Sequence, residues 1–72
     1  MGSKYPILKP HEITSALSNK GFVCKSQNGS HAKFTDGCRT VIIPMHDTVA
    51  RGTFKSILVQ AGVELEEFLK LL

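Results

Sequence analysis

Hydrophobic positions along the chain change their period twice. Ile13, Ala16 and Leu17 recur at i, i+3 and i+4, the spacing of one face of a short helix. Pro10 stands where that helix begins, a position at which a missing N–H leaves no bond unmade. Gly21 stands where it ends, because glycine takes a left-handed stop without steric cost. From Phe22 to Ile43 the period becomes two. Phe22–Ser26 reads as a first strand. Ser30–Thr35 reads as a second, with Ala32 and Phe34 on one side and His31, Lys33 and Thr35 on the other. Cys38–Ile43 reads as a third, rich in β-branched residues and closed by Pro44, which cannot donate to a ladder. Asn28-Gly29 is a dipeptide that accepts positive φ at both centres of a tight hairpin turn, and Asp36-Gly37 marks a second reversal. After a connection over residues 45–51 the helical period returns, with Phe54, Ile57, Leu58 and Ala61 on one face and Gly62 as the stop. Val63 then leads into an acidic helix. Its first turn holds Glu64, Glu66 and Glu67, and its apolar side holds Leu65, Phe68, Leu69 and Leu72.

These elements predict an α+β fold in the order α-β-β-β-α with an extra short C-terminal helix. Its three-stranded antiparallel meander has one face under the helices and the other open to solvent. Residues 1–72 are expected to form a single domain, with 1–9 as an N-terminal arm interrupted by Pro6 and 63–72 as the acidic C-terminal helix. A chain of 72 residues buries only about 60% of the surface its unfolded form exposes, and has no room for a separate cofactor domain. With 42% hydrophobic and 21% charged residues it still builds a core. No apolar run approaches the roughly 20 residues of a membrane helix, and no signal-peptide pattern opens the sequence, so a cytoplasmic protein with no membrane contact is expected. Cys24 and Cys38 are too few for a disulfide framework and lack neighbours at metal spacing. They are expected to be buried or half-buried free thiols, about 10 Å apart across the meander.

Charge is unevenly distributed. Residues 1–60 carry eight Lys and Arg against three acidic residues, and residues 61–72 one Lys against three Glu. A basic body with an acidic tail suits a polyanionic ligand. The candidate chemistry is sparse: no Cys/His metal spacing, no glycine-rich phosphate loop, no nucleophile motif and hence no cofactor or metal is expected. Among the histidines, His11 lies near a helix start and reads as solvated surface. His46 lies in a loop beside Asp47, and His31 opens the polar face of the second strand directly after Gly29-Ser30. Imidazole as a class exchanges protons near neutral pH. Gly29 lets a phosphate approach the backbone and Ser30 adds a hydroxyl donor. Lys33, two residues on, puts a cation on the same face. Together they resemble a small site for phosphodiester chemistry.

Four blocks of the sequence carry a further resemblance: Gly21-Phe22, Gly29-Ser30-His31, Val41-Ile42-Ile43-Pro44-Met45-His46, and Gly52-Thr53-Phe54-Lys55-Ser56-Ile57-Leu58 with Gln60-Ala61-Gly62. In this order the chain resembles the HicA family, the toxin components of bacterial and archaeal HicA–HicB toxin–antitoxin pairs, over roughly residues 10–70. The long block from Gly52 to Gly62 is its most specific part. The resemblance implies a fold like the double-stranded-RNA-binding domain, ribosome-independent cleavage of mRNA, and neutralisation by a HicB antitoxin that covers the active surface. It implies that His31 is the catalytic histidine, with His46, behind Pro44, as an RNA contact or auxiliary group. The chain departs from the family at Ala32, where many members carry a second histidine or a large polar residue.

A metal-independent endoribonuclease then follows, in which the RNA 2′-OH is the nucleophile, His31 the general acid–base, and Lys33 the first choice of phosphate cation ahead of Lys55 and Arg39. Two other classes fit the same residues. One is a non-catalytic RNA-binding module of double-stranded-RNA-binding-like fold that uses Gly52-Thr53-Phe54-Lys55 as a phosphate-contacting helix end. The other is an interaction domain that docks a partner through its acidic C-terminal helix.

Overall fold

The structure is a computed structural model and describes residues 5–72; the first four residues of the expected N-terminal arm lie outside it. The elements run α1 (Pro10–Lys20), β1 (Val23–Asn28), β2 (His31–Thr35), β3 (Thr40–Pro44), α2 (Arg51–Ala61) and α3 (Leu65–Leu69). This is the α-β-β-β-α order of a double-stranded-RNA-binding-like fold with one further short helix.

Helix α1 starts at its proline, and the Glu12 carboxylate accepts the N–H of Lys9, 2.8 Å away, satisfying one donor at the helix entrance. It stops at Gly21, whose φ of 108° turns the chain so that Phe22 N–H reaches the Leu17 carbonyl at 2.9 Å. Phe22 therefore ends as a core side chain ahead of the strand, and β1 begins one residue later than the alternation predicts.

The sheet is antiparallel in the order β1-β2-β3. Its two turns account for the remaining shifts of boundary. Asn28 pairs with His31, so β1 runs on to Asn28 and the first loop is Gly29-Ser30 rather than Asn28-Gly29. Only Gly29 of the three has positive φ, the pattern of a hairpin turn with glycine at its first centre. The second loop spans residues 36–39. Asp36 Oδ1 accepts the N–H groups of Cys38 (2.9 Å) and Arg39 (2.8 Å), which withdraws both from the ladder and delays β3 to Thr40. Both cysteines are free and exposed, not buried as expected. Cys38 lies in this loop, and β1 is an edge strand whose six residues are all exposed.

Ala32, Phe34, Val41 and Ile43 point from the sheet into a core completed by Ile13 and Leu17 of α1, by Phe54, Ile57 and Leu58 of α2, and by Phe22 and Phe68. Phe54 and Phe68 meet edge to face, 5.1 Å between ring centres. Helix α3 is shorter than the expected 63–72. Glu64 is its N-cap, Leu65 and Phe68 are buried, and Leu69 and Leu72 stay exposed because the five-residue helix offers the core one turn only. Among the described residues no helix is long and apolar enough to cross a membrane.

Candidate functional site

The face of the sheet away from the helices is open. Cross-strand register fixes its three rows: Asn28, His31 and Pro44; Ser26, Lys33 and Ile42; Val23, Thr35 and Thr40. Residues paired directly across an antiparallel ladder share a face, so these nine side chains form one surface, and none is acidic. His31 and Lys33 are both exposed on it, two residues or about 7 Å apart along β2. His31 stands at the end of the strand, next to Gly29 and Ser30, while its neighbour Ala32 points into the core.

The loop after β3 comes back to the same corner. Met45 N–H donates to the Ser30 carbonyl, so the β2–β3 pairing continues one residue past Pro44 onto the β1–β2 turn. Met45 packs against the core, and His46 and Asp47 follow it, exposed. Asp47 has φ of 48°, the one non-glycine residue with positive φ among those described. The far side of the loop is tied to the N-terminal arm, where Val49 N–H donates to the Leu8 carbonyl at 2.7 Å. His46 is thereby brought beside the His31 corner, which its position fifteen residues downstream did not indicate. A signal existed in the sequence: His31 opens one strand, Pro44 closes the next, and an antiparallel register places those two residues opposite each other.

The other cations are elsewhere. Arg39 precedes β3 at the end of the sheet remote from His31, five residues or about 17 Å along the strand from the His31–Pro44 pair. Its guanidinium lies over Gly62 at the C-terminus of α2, close enough that a Cβ there would stand 2.5–2.8 Å from it. A cation at that position complements the helix dipole. Lys55 projects from the flank of α2 that meets the N-terminal arm, with its Nζ 6.0 Å from the centre of the Tyr5 ring. There it borders a cavity of about 300 Å³ with Tyr5, Leu58, Gly62, Glu64 and Leu65. The opposite flank of α2 faces the edge of β3, where Gln60 Oε1 accepts the Ile42 N–H at 3.1 Å. Gly29, Ser30, His31, Lys33 and His46 are thus gathered at one corner of the open face, and Arg39 and Lys55 are not.

Asp36 is the described group whose acidity is clearly displaced. Its carboxyl is held below the usual carboxylate range, first by the Arg39 N–H and then by that of Cys38. It belongs to the loop remote from His31. Among the described residues no three His, Cys, Asp or Glu side chains gather as a metal-holding group.

The chain matches the model of a protein family described as HicA toxin of bacterial toxin-antitoxin, over residues 10–63. That span runs from the first residue of α1 to just past α2 and includes the whole corner described above. No individual curated protein matches the chain.

Proposed function

The chain belongs to the HicA toxin family, and from that premise we propose that it is an endoribonuclease that cuts mRNA with His31 as general acid–base. As a HicA-type protein it is a toxin of a toxin–antitoxin system, and its partner is a HicB antitoxin. The target, mRNA, puts its work in the cytoplasm.

The observation that carries this reading is the placement of His31: exposed, at a strand end, on a face without acidic side chains and with Lys33 on the same strand face. Among the nine side chains of that face an RNA backbone meets no carboxylate, and Asp47 stands beside it in the loop that carries His46. Gly29 presents bare backbone at the turn and Ser30 a hydroxyl donor. RNA carries its own nucleophile. A base that takes the 2′-OH proton lets O2′ bond to the adjacent phosphorus while the bond to O5′ breaks. The departing oxygen takes up a proton, and the ends are a 2′,3′-cyclic phosphate and a 5′-OH. His31 exchanges the proton, and the Lys33 ammonium stabilises the charge that builds on the phosphoryl oxygens. Arg39 and Lys55 serve only nucleotides away from the cut.

Proton transfer by one positioned side chain contributes typically about 10²–10⁴-fold. His31→Ala is therefore expected to slow cleavage of a single-stranded transcript by at least about 100-fold, with the fold and RNA affinity of the parent retained. Because the nucleophile comes from the RNA, the parent's rate is expected to be unchanged by EDTA. Full-rate cleavage by His31→Ala would remove the proposed role. Parent protein that binds the transcript but leaves it intact would favour a non-catalytic RNA-binding module.

A further inference from the structure

We propose that His46 is the second proton carrier of this site, the acid that protonates the leaving 5′ oxygen while His31 acts as base; the assignment rests on the ribonuclease reading above. In-line displacement puts the entering O2′ and departing O5′ on opposite sides of phosphorus, so one imidazole does not reach both at once. The residue after His31 does not help, since Ala32 is apolar and buried. A second carrier has to come from another element, and the structure brings one. Pro44 lies directly opposite His31, about 5 Å away across the ladder, and His46 is two residues further on. The two Cα atoms are therefore no more than about 13 Å apart, near enough for the imidazoles to flank one phosphodiester.

His46 is also held in place. The Met45 N–H to Ser30 carbonyl bond fixes the loop on one side, and the Val49 N–H to Leu8 carbonyl bond fixes it on the other. Between them Asp47 takes a left-handed backbone, an unfavourable state for a residue with a Cβ that persists only where its surroundings impose it. His46 immediately precedes that bend and remains exposed. In the complete step neutral His31 takes the 2′ proton and the imidazolium of His46 gives one to O5′. The O2′–P bond forms and the P–O5′ bond breaks. Exchange of both imidazoles with water restores the starting state.

The test uses two RNA oligonucleotides that span a cut mapped with the parent protein, identical except that sulfur replaces the bridging 5′ oxygen in one. A thiolate leaves without a proton. His46→Gln and His46→Ala, at an exposed loop position, are expected to slow cleavage of the oxygen-linked RNA about 100-fold or more and that of the sulfur-linked RNA by less than about threefold. His31→Ala is expected to slow both. Equal loss on the two substrates for both His46 variants, or no loss on either, overturns the assignment while the His31 reading stands. Full-rate cleavage of both RNAs by His31→Ala overturns the nuclease reading and this assignment with it.

Discussion

Asp36 shows how one side chain sets a boundary. By accepting two backbone N–H groups with one oxygen it holds Cys38 and Arg39 in the loop, and Thr35 adds a second clamp, its hydroxyl donating to the Arg39 carbonyl at 2.8 Å and accepting the Gly37 N–H at 3.0 Å. The same N–H groups lower its pKa, so the folded state prefers the carboxylate more strongly than the unfolded state does. The resulting stabilisation is complete above the ordinary carboxylate range, near about pH 4, and is lost as the pH falls through the lowered folded value. Asp36→Ala is accordingly expected to melt at a lower temperature than the parent at pH 7, with the gap narrowing in acid. Thermal melts followed by circular dichroism across that range check it; a gap that persists undiminished in strong acid would show that the carboxylate charge is not what closes the loop.

The two edges of the sheet are protected by different means. Along β3, Gln60 of α2 accepts the Ile42 N–H, and its own amide donates to Ser56 Oγ at 3.3 Å, one turn back on the helix. Along β1 the pairing slips between Cys24 and Ser26, and the intervening Lys25 places a bulge and a charge on the edge, both of which discourage a further strand from pairing there. An edge hydrogen bond contributes about 0.5–1.5 kcal/mol net. Gln60→Ala is therefore expected to speed hydrogen exchange at the Ile42 amide by up to about tenfold while the amides of the central strand β2 keep their rates. Exchange measured residue by residue by NMR decides it, and an unchanged Ile42 amide would mean that the helix backbone, not the Gln60 side chain, covers the edge.

At the scale of the whole molecule, charge and core are arranged on opposite sides of the sheet. The open face presents His31 and Lys33 without a carboxylate, whereas Glu66 and Glu67 ride on α3 in the helical layer. Lys20 of α1 pairs with Glu67, but both side chains are partly exposed, and such a pair is worth about 0–1 kcal/mol. What fastens α3 is Phe68, fully buried against Phe54. Removing such a ring costs about 3–5 kcal/mol, comparable with everything the core of so small a domain supplies. Phe68→Ala is expected to abolish the cooperative thermal transition. A variant that still melts cooperatively near the parent temperature would show that α3 is dispensable to the core.

Alternation and turn chemistry were sufficient to place every element, because a strand's faces and a helix's stripe are written in consecutive residues. Boundaries moved by one or two residues where a backbone group found a partner just outside its element, as at Gly29 and Asp36. The buried side of α3 was overestimated for a related reason: Leu69 and Leu72 have helical spacing, but nothing packs over a helix that ends after one turn. The site divided along the same line. That His31 and Lys33 share the open face follows from their separation by two and from Ala32 and Phe34 between and beyond them. That His46 joins them, while Arg39 lies over Gly62 and Lys55 turns to Tyr5, does not, since those positions depend on strand register and on the docking of α2. Local sequence determined what each segment is and which way its side chains point; tertiary structure decided which segment ends meet, because the hydrogen bonds that bring them together join residues far apart in the chain.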